Sequence, residues 1–396
     1  MAKQLSYVLV NPYTLRKSRT GGILSRLLTR TALDLVAARL FAPTRELVRE
    51  YVEILRTSKE AFTSHKEQVR QLIYEYVRTN YSPDLVTGKC HRVLMLLWQG
   101  ENAVVRVREC VGDISHRSVT GESIRDTYGD YILGEDGQIK YFEPAVLAPQ
   151  TEEEARMGLQ IWAKYSDRDG GLLKDILPYK RTPKTQRTLV IIKPDNFMFP
   201  SGKPGNVMDM FSKTGLYIVG VKVNRMTVAQ AEEFYAPVLP TLRKKFKEFS
   251  GPRARAALSK EFGFELSQST IKTLGELVGP CYAEAQFEDI VKFMSGRRPS
   301  ECSPTDKRKP GTVKSLVIVY EGENAVRKVR EVLGPTDPHK APPGSIRREF
   351  GQNIMVNAAH ASDSPESVER EIRILNIVEN NLKKTITEFY SKRLRN

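Results

Sequence analysis

The sequence predicts an α+β protein in which helices cover one face of an antiparallel sheet, and it predicts that unit twice along one chain. Three observations carry this. The stretch QGENAVVRVRECVG (99–112) returns as EGENAVRKVREVLG (321–334), a likeness too close for chance. Runs of β-branched residues alternate with amphipathic stretches of helical period. That alternation lacks the regular β-α spacing of a parallel sheet, so the helices belong on an antiparallel one.

The elements follow in the same order in both copies. LSYVLV (5–10) and TLVIIK (188–193) open each copy as strands, and YVLVNPYT (7–14) aligns with LVIIKPDN (189–196). GGILSRLLTR (21–30) and GNVMDMFSKTG (205–215) read as helices, and ALDLVAARLF (32–41) and LYIVGVKVNR (216–225) as second strands. Helical stretches rich in Glu follow, TRELVREYVEIL (44–55) and TVAQAEEFYAPVL (227–239). The third strands are HRVLMLLWQ (91–99) and VKSLVIVYE (313–321), each leading into an Asn-Ala-Val helix. Asn102, Arg108 and Arg125 align with Asn324, Arg330 and Arg347 at one constant offset. Residues 166–187, rich in Gly, Pro and charge, read as a linker. The expected domains are therefore 1–165 and 188–396, the second with insertions at about 236–286 and 297–313.

The 396 residues suffice for two domains with substantial cores. No apolar run approaches the roughly 20 residues needed to span a bilayer, and MAKQLSYVLVNP carries no signal-peptide pattern, so a cytoplasmic location is expected. Four scattered cysteines without a CxxC pair indicate neither a zinc site nor a disulfide framework. A net charge of +15 favours polyanionic partners without distinguishing nucleic acid from nucleotides or an acidic surface.

The second copy concentrates phosphate-binding chemistry. In GENAVRKVREVLGPTDP, Ala325, Val329 and Leu333 form an apolar stripe, Arg330 flanks it, and Gly334 is placed to end the helix. Thr336 follows, then Arg347 in APPGSIRREF. Guanidinium groups grip phosphate oxygens with forked donors and keep their charge at all working pH values. In NAAHASDSPESVEREI (357–372), Ser364 is a good N-cap, Pro365 a good first helical residue, and Val368, Ile372 and Leu375 would face the core. His360 stands just upstream between Asn357 and Ser362, and Glu371 lies about two turns into the helix. A neutral imidazole is a competent nucleophile for phosphorus, and a carboxylate can hold its ring in the attacking orientation. An isolated histidine there would more simply cap or pack a loop.

Together, IKPDN (192–196), GENAVRKVREVLGPTDP (322–338), PGSIRREF (343–350) and NAAHASDSPESVEREI closely resemble the nucleoside diphosphate kinase family, in the family's order. The resemblance implies ferredoxin-like (βαββαβ) domains, each with a four-stranded antiparallel sheet. It also implies transfer of the γ-phosphate of a nucleoside triphosphate to a nucleoside diphosphate by a ping-pong route through a phosphohistidine. Magnesium would be held mainly by the nucleotide phosphates, with no metal site on the protein. By position His360 would be the nucleophile, Glu371 would orient it and Ser362 would hydrogen-bond nearby. Lys193, Arg330, Thr336, Arg347 and Asn357 would contact phosphates or ribose, Phe287 would stack on the base, and Tyr235 would lie near the phosphates. Ala361 stands where the family has glycine, which would strain the backbone if that position needs positive φ.

In the first copy, Asn11 replaces the lysine, Ile114 the threonine, and Val146 in YFEPAVLAPQTEEEARMGL stands opposite His360. That copy is expected to be catalytically dead. Since the family assembles through dimers of this fold, the halves are expected to form an intramolecular pseudo-dimer, with further homo-oligomers open. The alternative is a nucleic-acid or partner-binding protein on a kinase scaffold, motivated by LRKKFKEF, RRPSECSPTDKRKPG and the tail SKRLRN.

Overall fold

A computed structural model describes residues 3–57, 66–114, 121–135 and 139–393. The first repeat comprises β1 (Lys3–Val10), α1 (Pro12–Arg16), α2 (Thr20–Arg30), β2 (Asp34–Phe41), α3 (Arg45–Thr57) and α4 (Lys66–Asn80). It continues with β3 (Val93–Glu101), α5 (Ala103–Val111), α6 (Ile124–Tyr128), β4 (Asp130–Leu133), β5 (Ile139–Glu143), β6 (Val146–Leu147) and α7 (Glu152–Asp169). The second repeat runs through β7 (Thr185–Ile192), α8 (Lys203–Met210), β8 (Tyr217–Asn224), α9 (Val228–Tyr235), α10 (Leu239–Phe262) and α11 (Gln268–Ser295). It ends with β9 (Ser315–Glu323), α12 (Ala325–Leu333), α13 (Ile346–Phe350), β10 (Ala359–Ala361), α14 (Pro365–Ile374) and α15 (Asn381–Arg393).

Both repeats form four-stranded sheets, ordered β2-β3-β1-β6 and β10-β7-β9-β8. In each, the first and third strands pair antiparallel at the centre and the fourth lies outside the first, the ferredoxin-like order. Consecutive residues Leu5–Val10 of β1 and Val93–Trp98 of β3 are all buried, so both faces of the first sheet are covered, where the sequence suggested one. Alternate β1 residues enter different cores: Val8 and Val10 face α2 and α5, while Tyr7 and Leu9 face α3, α4 and α7.

The first of these cores is continuous through both repeats, joining Val8, Leu96 and Trp98 to Val190, Ile318 and Phe211. At its edge α2 crosses α8 at two glycines. A Cβ on Gly205 would lie 2.2 Å from the Gly21 carbonyl oxygen, and one on Gly21 would lie 2.5 Å from that of Gly205. Backbones meet there because neither residue has a side chain.

The linker is shorter than the expected 166–187. Ser166–Asp169 complete α7, where buried Ser166 and Asp169 anchor the last turn, and Thr185–Arg187 begin β7. The C-terminal helix also departs from the expected domain: Leu382 and Ile386 of α15 pack in the core that covers the outer face of the first sheet. Their apolar stripe finds an uncovered surface there, so residues 381–393 complete the first repeat.

Residues Arg225–Ser315 form a second unit that spans both insertions. Within it α10 and α11 make a helical hairpin closed at Gly251, whose Cβ would stand 2.5 Å from the Ile271 carbonyl oxygen. Several cations of the basic insertions are already paired there: Arg243 with Glu284, Arg298 with Asp289 and Glu288, Lys307 with Glu232 and Lys309 with Asp306. These pairs reduce the charge available to a polyanion. Residues 394–396 of the basic tail lie outside the described residues. Among the described residues, no helix is long and apolar enough to cross a membrane.

Candidate active site

His360 is the middle residue of β10, paired with Ile191 of β7 at the edge of the second sheet. Four residues later Ser364 caps α14, its hydroxyl accepting from the Ser367 amide at 3.2 Å, and Pro365 opens the helix. Glu371 lies on the same stripe as Val368 and Ile374 and is buried with them. Burying a carboxylate is costly unless its oxygens are satisfied. Here Oε2 meets His360 Nε2 at 3.0 Å and accepts from the Ser362 hydroxyl at 2.6 Å.

Lys193 directly follows β7 and is buried. Its ammonium donates to Asn357 Oδ1 at 2.7 Å and to the Met355 carbonyl at 3.1 Å. Asn357 in turn donates to the carbonyls of Thr336 (3.1 Å) and Ile354 (2.8 Å). Arg347 spans from the Gly334 carbonyl (3.0 Å) to that of Ala359 (3.2 Å), tying the end of α12 to the residue before the histidine. Desolvation, reinforced by Arg347 and opposed by Asp195, pushes the Lys193 ammonium down to about 7.

This depression has a sign that can be tested. An unfolded lysine titrates near 10.4, so between about pH 7 and 10 the unfolded chain holds a proton that the native chain lacks. Stability therefore rises with pH across this window: the Lys193 contribution is full above about pH 10 and lost as pH falls to about 7. The difference between wild type and Lys193→Met in thermal unfolding, measured from pH 6 to 10 without nucleotide, should favour the variant most at the acid end and shrink as pH rises. A pH-independent difference would show that the ammonium is not depressed.

Arg330 is exposed on α12 and lines a groove with Asn324, Arg327, Asp363 and Pro365. The Ser367 hydroxyl, followed by the fields of Arg330 and His360, holds the Asp363 carboxyl below its usual range. The Thr336 side chain is exposed, and its carbonyl serves Asn357. Ala361 lies in extended β10; the positive φ falls instead at Ala358 (68°), so no strain arises where alanine replaces glycine.

Sequence reasoning passed over Asn196. Its side-chain amide donates to the carbonyls of Lys193 (2.9 Å) and Ala358 (2.7 Å), clamping the lysine to the start of β10. IKPDN contained it, but nothing in the motif shows which carbonyls it reaches. The structure thus brings Lys193, Arg330, Thr336, Arg347, Asn357, His360, Ser362 and Glu371 to one end of the second sheet. Tyr235 and Phe287 belong to the other unit: Tyr235 ends α9 with its ring 5.0 Å from that of Phe234, and Phe287 is half-buried on α11.

The first repeat has exchanged this machinery. Val10 pairs with Val146 as Ile192 pairs with Ala359, and Ala145 matches Ala358 in positive φ. The residue equivalent to His360 is therefore Leu147 and not Val146; the identical backbone bend sets the register. In the same register Gly158 stands for Glu371, and a Cβ there would lie 2.2 Å from the Tyr7 hydroxyl, which fills the space. Asn11, in place of the lysine, bonds Glu143 (3.2 Å) and Tyr81 (2.6 Å), and Tyr76 closes on Glu143 at 2.6 Å. Arg125 repeats the bonds of Arg347, reaching Gly112 and Val146, so its retention is explained by backbone bridging.

Fold and site together define a class: an α+β protein with a ferredoxin-like sheet whose edge presents a carboxylate-held histidine beside a lysine and arginines. The sequence description of nucleoside diphosphate kinases matches residues 186–285 and 307–378. The nucleoside diphosphate kinase of Campylobacter hominis is 33% identical over 187 residues, covering 47% of this chain and 92% of that one. That of Bdellovibrio bacteriovorus is 31% identical over 189 residues, covering 48% and 91%. A crystal structure of the Aquifex aeolicus nucleoside diphosphate kinase aligns over 50% of this chain and 98% of its own, at 29% identity and a TM-score of 0.30. The chain belongs to the nucleoside diphosphate kinase family.

Proposed function

We propose that the protein is a nucleoside diphosphate kinase working by a ping-pong route through phospho-His360. The observation that carries this is the hydrogen bond from His360 Nε2 to buried Glu371. An ionised carboxylate only accepts, so the shared proton sits on Nε2 and the ring lone pair is on Nδ1. In the first half-reaction Nδ1 attacks the γ-phosphorus of a nucleoside triphosphate, and the bond to the β,γ-bridging oxygen breaks to release the diphosphate. In the second, a terminal β-phosphate oxygen of another diphosphate attacks phosphorus and the P–N bond breaks. Glu371 stabilises the imidazolium character that develops, and Ser362 fixes the carboxylate. Lys193, Arg347 and Arg330 neutralise the phosphate oxygens; Asn357 orients Lys193, and Thr336 would meet a phosphate or ribose oxygen. Positioning and charge neutralisation are what phosphoryl transfer most needs. Tyr235 and Phe287 are proposed for the sugar-phosphate and base ends of the nucleotide.

The cationic side chains and the occupied Glu371 carboxylate suit a magnesium ion carried in on the nucleotide. Among the described residues, no group of three or more His, Cys, Asp or Glu side chains gathers to hold one. Carried in with the nucleotide, magnesium would supply further charge neutralisation beside Lys193, Arg330 and Arg347.

The test is to incubate the protein with γ-labelled ATP and magnesium, isolate it, and add GDP. An acid-labile phosphoenzyme that passes its label to GDP, giving labelled GTP, is expected; nucleotide binding without label would remove this reading. Glu371→Gln should retain phosphoenzyme formation but slow it by about 10- to 100-fold, because glutamine holds the ring yet cannot stabilise its positive charge. An unchanged rate would leave Glu371 a merely structural role.

A further inference from the structure

A second cleft lies away from His360, where the first repeat meets the connector and the start of β8. It encloses about 550 Å³, a size that accommodates a small ligand. Its walls combine aromatic rings, including Tyr13, Tyr141 and Tyr217, with the cations Arg16, Lys89 and Arg92.

The charge in this cleft is not balanced locally. Its two carboxylates are committed: Asp84 accepts from the Val86 and Thr87 amides and the Thr87 hydroxyl, and Glu143 accepts from Asn11, Tyr76 and the Ala145 amide. Among the described residues, no carboxylate pairs with Arg16, Lys89 or Arg92. Arg92 is held in place by a 2.7 Å bond to the Ile218 carbonyl and by the Tyr217 ring, 4.9 Å from its guanidinium carbon. His91 bonds the Asn80 carbonyl through Nδ1 at 2.6 Å. A carbonyl only accepts, so that nitrogen carries the proton and Nε2 of the neutral ring is an acceptor suited to a hydroxyl.

We propose that this cleft is a second, non-catalytic nucleotide site. Aromatic faces stack on a base of any identity, the cations Arg16, Lys89 and Arg92 grip phosphate, and His91 meets a ribose hydroxyl. No transfer occurs there, since Leu147 stands where a nucleophile would be and the Asn11–Glu143–Tyr76 network fills the old lysine position. A ligand touching Tyr217, the first residue of β8, would contact both repeats. This inference does not depend on the phosphohistidine reading.

The experiment uses the full chain. Equilibrium dialysis with ADP is expected to give two nucleotides per chain, and 8-azido-ADP is expected to label peptides holding Tyr13, Tyr141 or Tyr217 in addition to the His360 region. Arg16→Glu with Lys89→Glu, both at exposed positions, should weaken the second site at least about tenfold while leaving acid-labile labelling of His360 within twofold of wild type. One nucleotide per chain in the wild type with crosslinks confined to peptides around Lys193, Arg330 and His360 would overturn the proposal. Pyrophosphate competing as strongly as ADP at the second site would overturn the nucleotide assignment in favour of a bare phosphate site.

Discussion

Replacing His360 with glutamine should abolish phosphoenzyme formation and lower nucleoside diphosphate kinase turnover by at least about 10³-fold. Glutamine can keep a hydrogen bond to Glu371 but offers no nucleophilic lone pair to phosphorus. Because Lys193, Arg330 and Arg347 are untouched, affinity for ADP should change by only a few fold. The combination of preserved binding, lost label and lost turnover is the signature of a missing nucleophile; a disordered site would lose binding as well. Persistence of an acid-labile label in the variant would move the chemistry to another residue.

Gly205→Val should be the most damaging single change to the fold. Its Cβ would stand 2.2 Å from the Gly21 carbonyl oxygen and 2.5 Å from the Ser25 amide nitrogen, both backbone atoms within α2 that cannot swing aside. The helices would have to separate along the edge of the core that joins the two repeats, at a cost of roughly 3 kcal/mol or more. Gly202→Ala is the control: its nearest neighbour would be the Ser25 Cβ at 3.4 Å, an ordinary contact, and stability should stay within about 0.5 kcal/mol of wild type. Denaturant midpoints for the pair decide the matter. Equal midpoints would mean that the crossing is not tightly set.

Much of the second repeat's site was legible in the chain because its parts are local. Ser364 and Pro365 specify a helix start and Val368, Ile372 and Leu375 its expected core side, although in the structure Ile374 and not Ile372 is buried beside Val368 and Glu371. The register of the first repeat was less legible. Val146 and Leu147 are adjacent apolar residues, and only the strand pairing with β1 and the bend at Ala145 show that Leu147 takes the histidine's place. Asn196, Arg347 and Arg125 act through backbone carbonyls distant in sequence, and carbonyls leave no trace in a sequence pattern.

By itself the sequence determined the duplication, the order of elements, the helix caps and the residue types at the phosphate-handling end, since these depend on periodicity and short-range spacing. Only the tertiary structure decided that the repeats share one core through the Gly21–Gly205 crossing, that α15 completes the first repeat, that Lys193 is depressed by burial beside Arg347, and that cations and aromatics meet in a second cleft. Each of these depends on surfaces far apart along the chain coming into contact, where burial and close packing are settled by the neighbours a residue meets and not by those it follows.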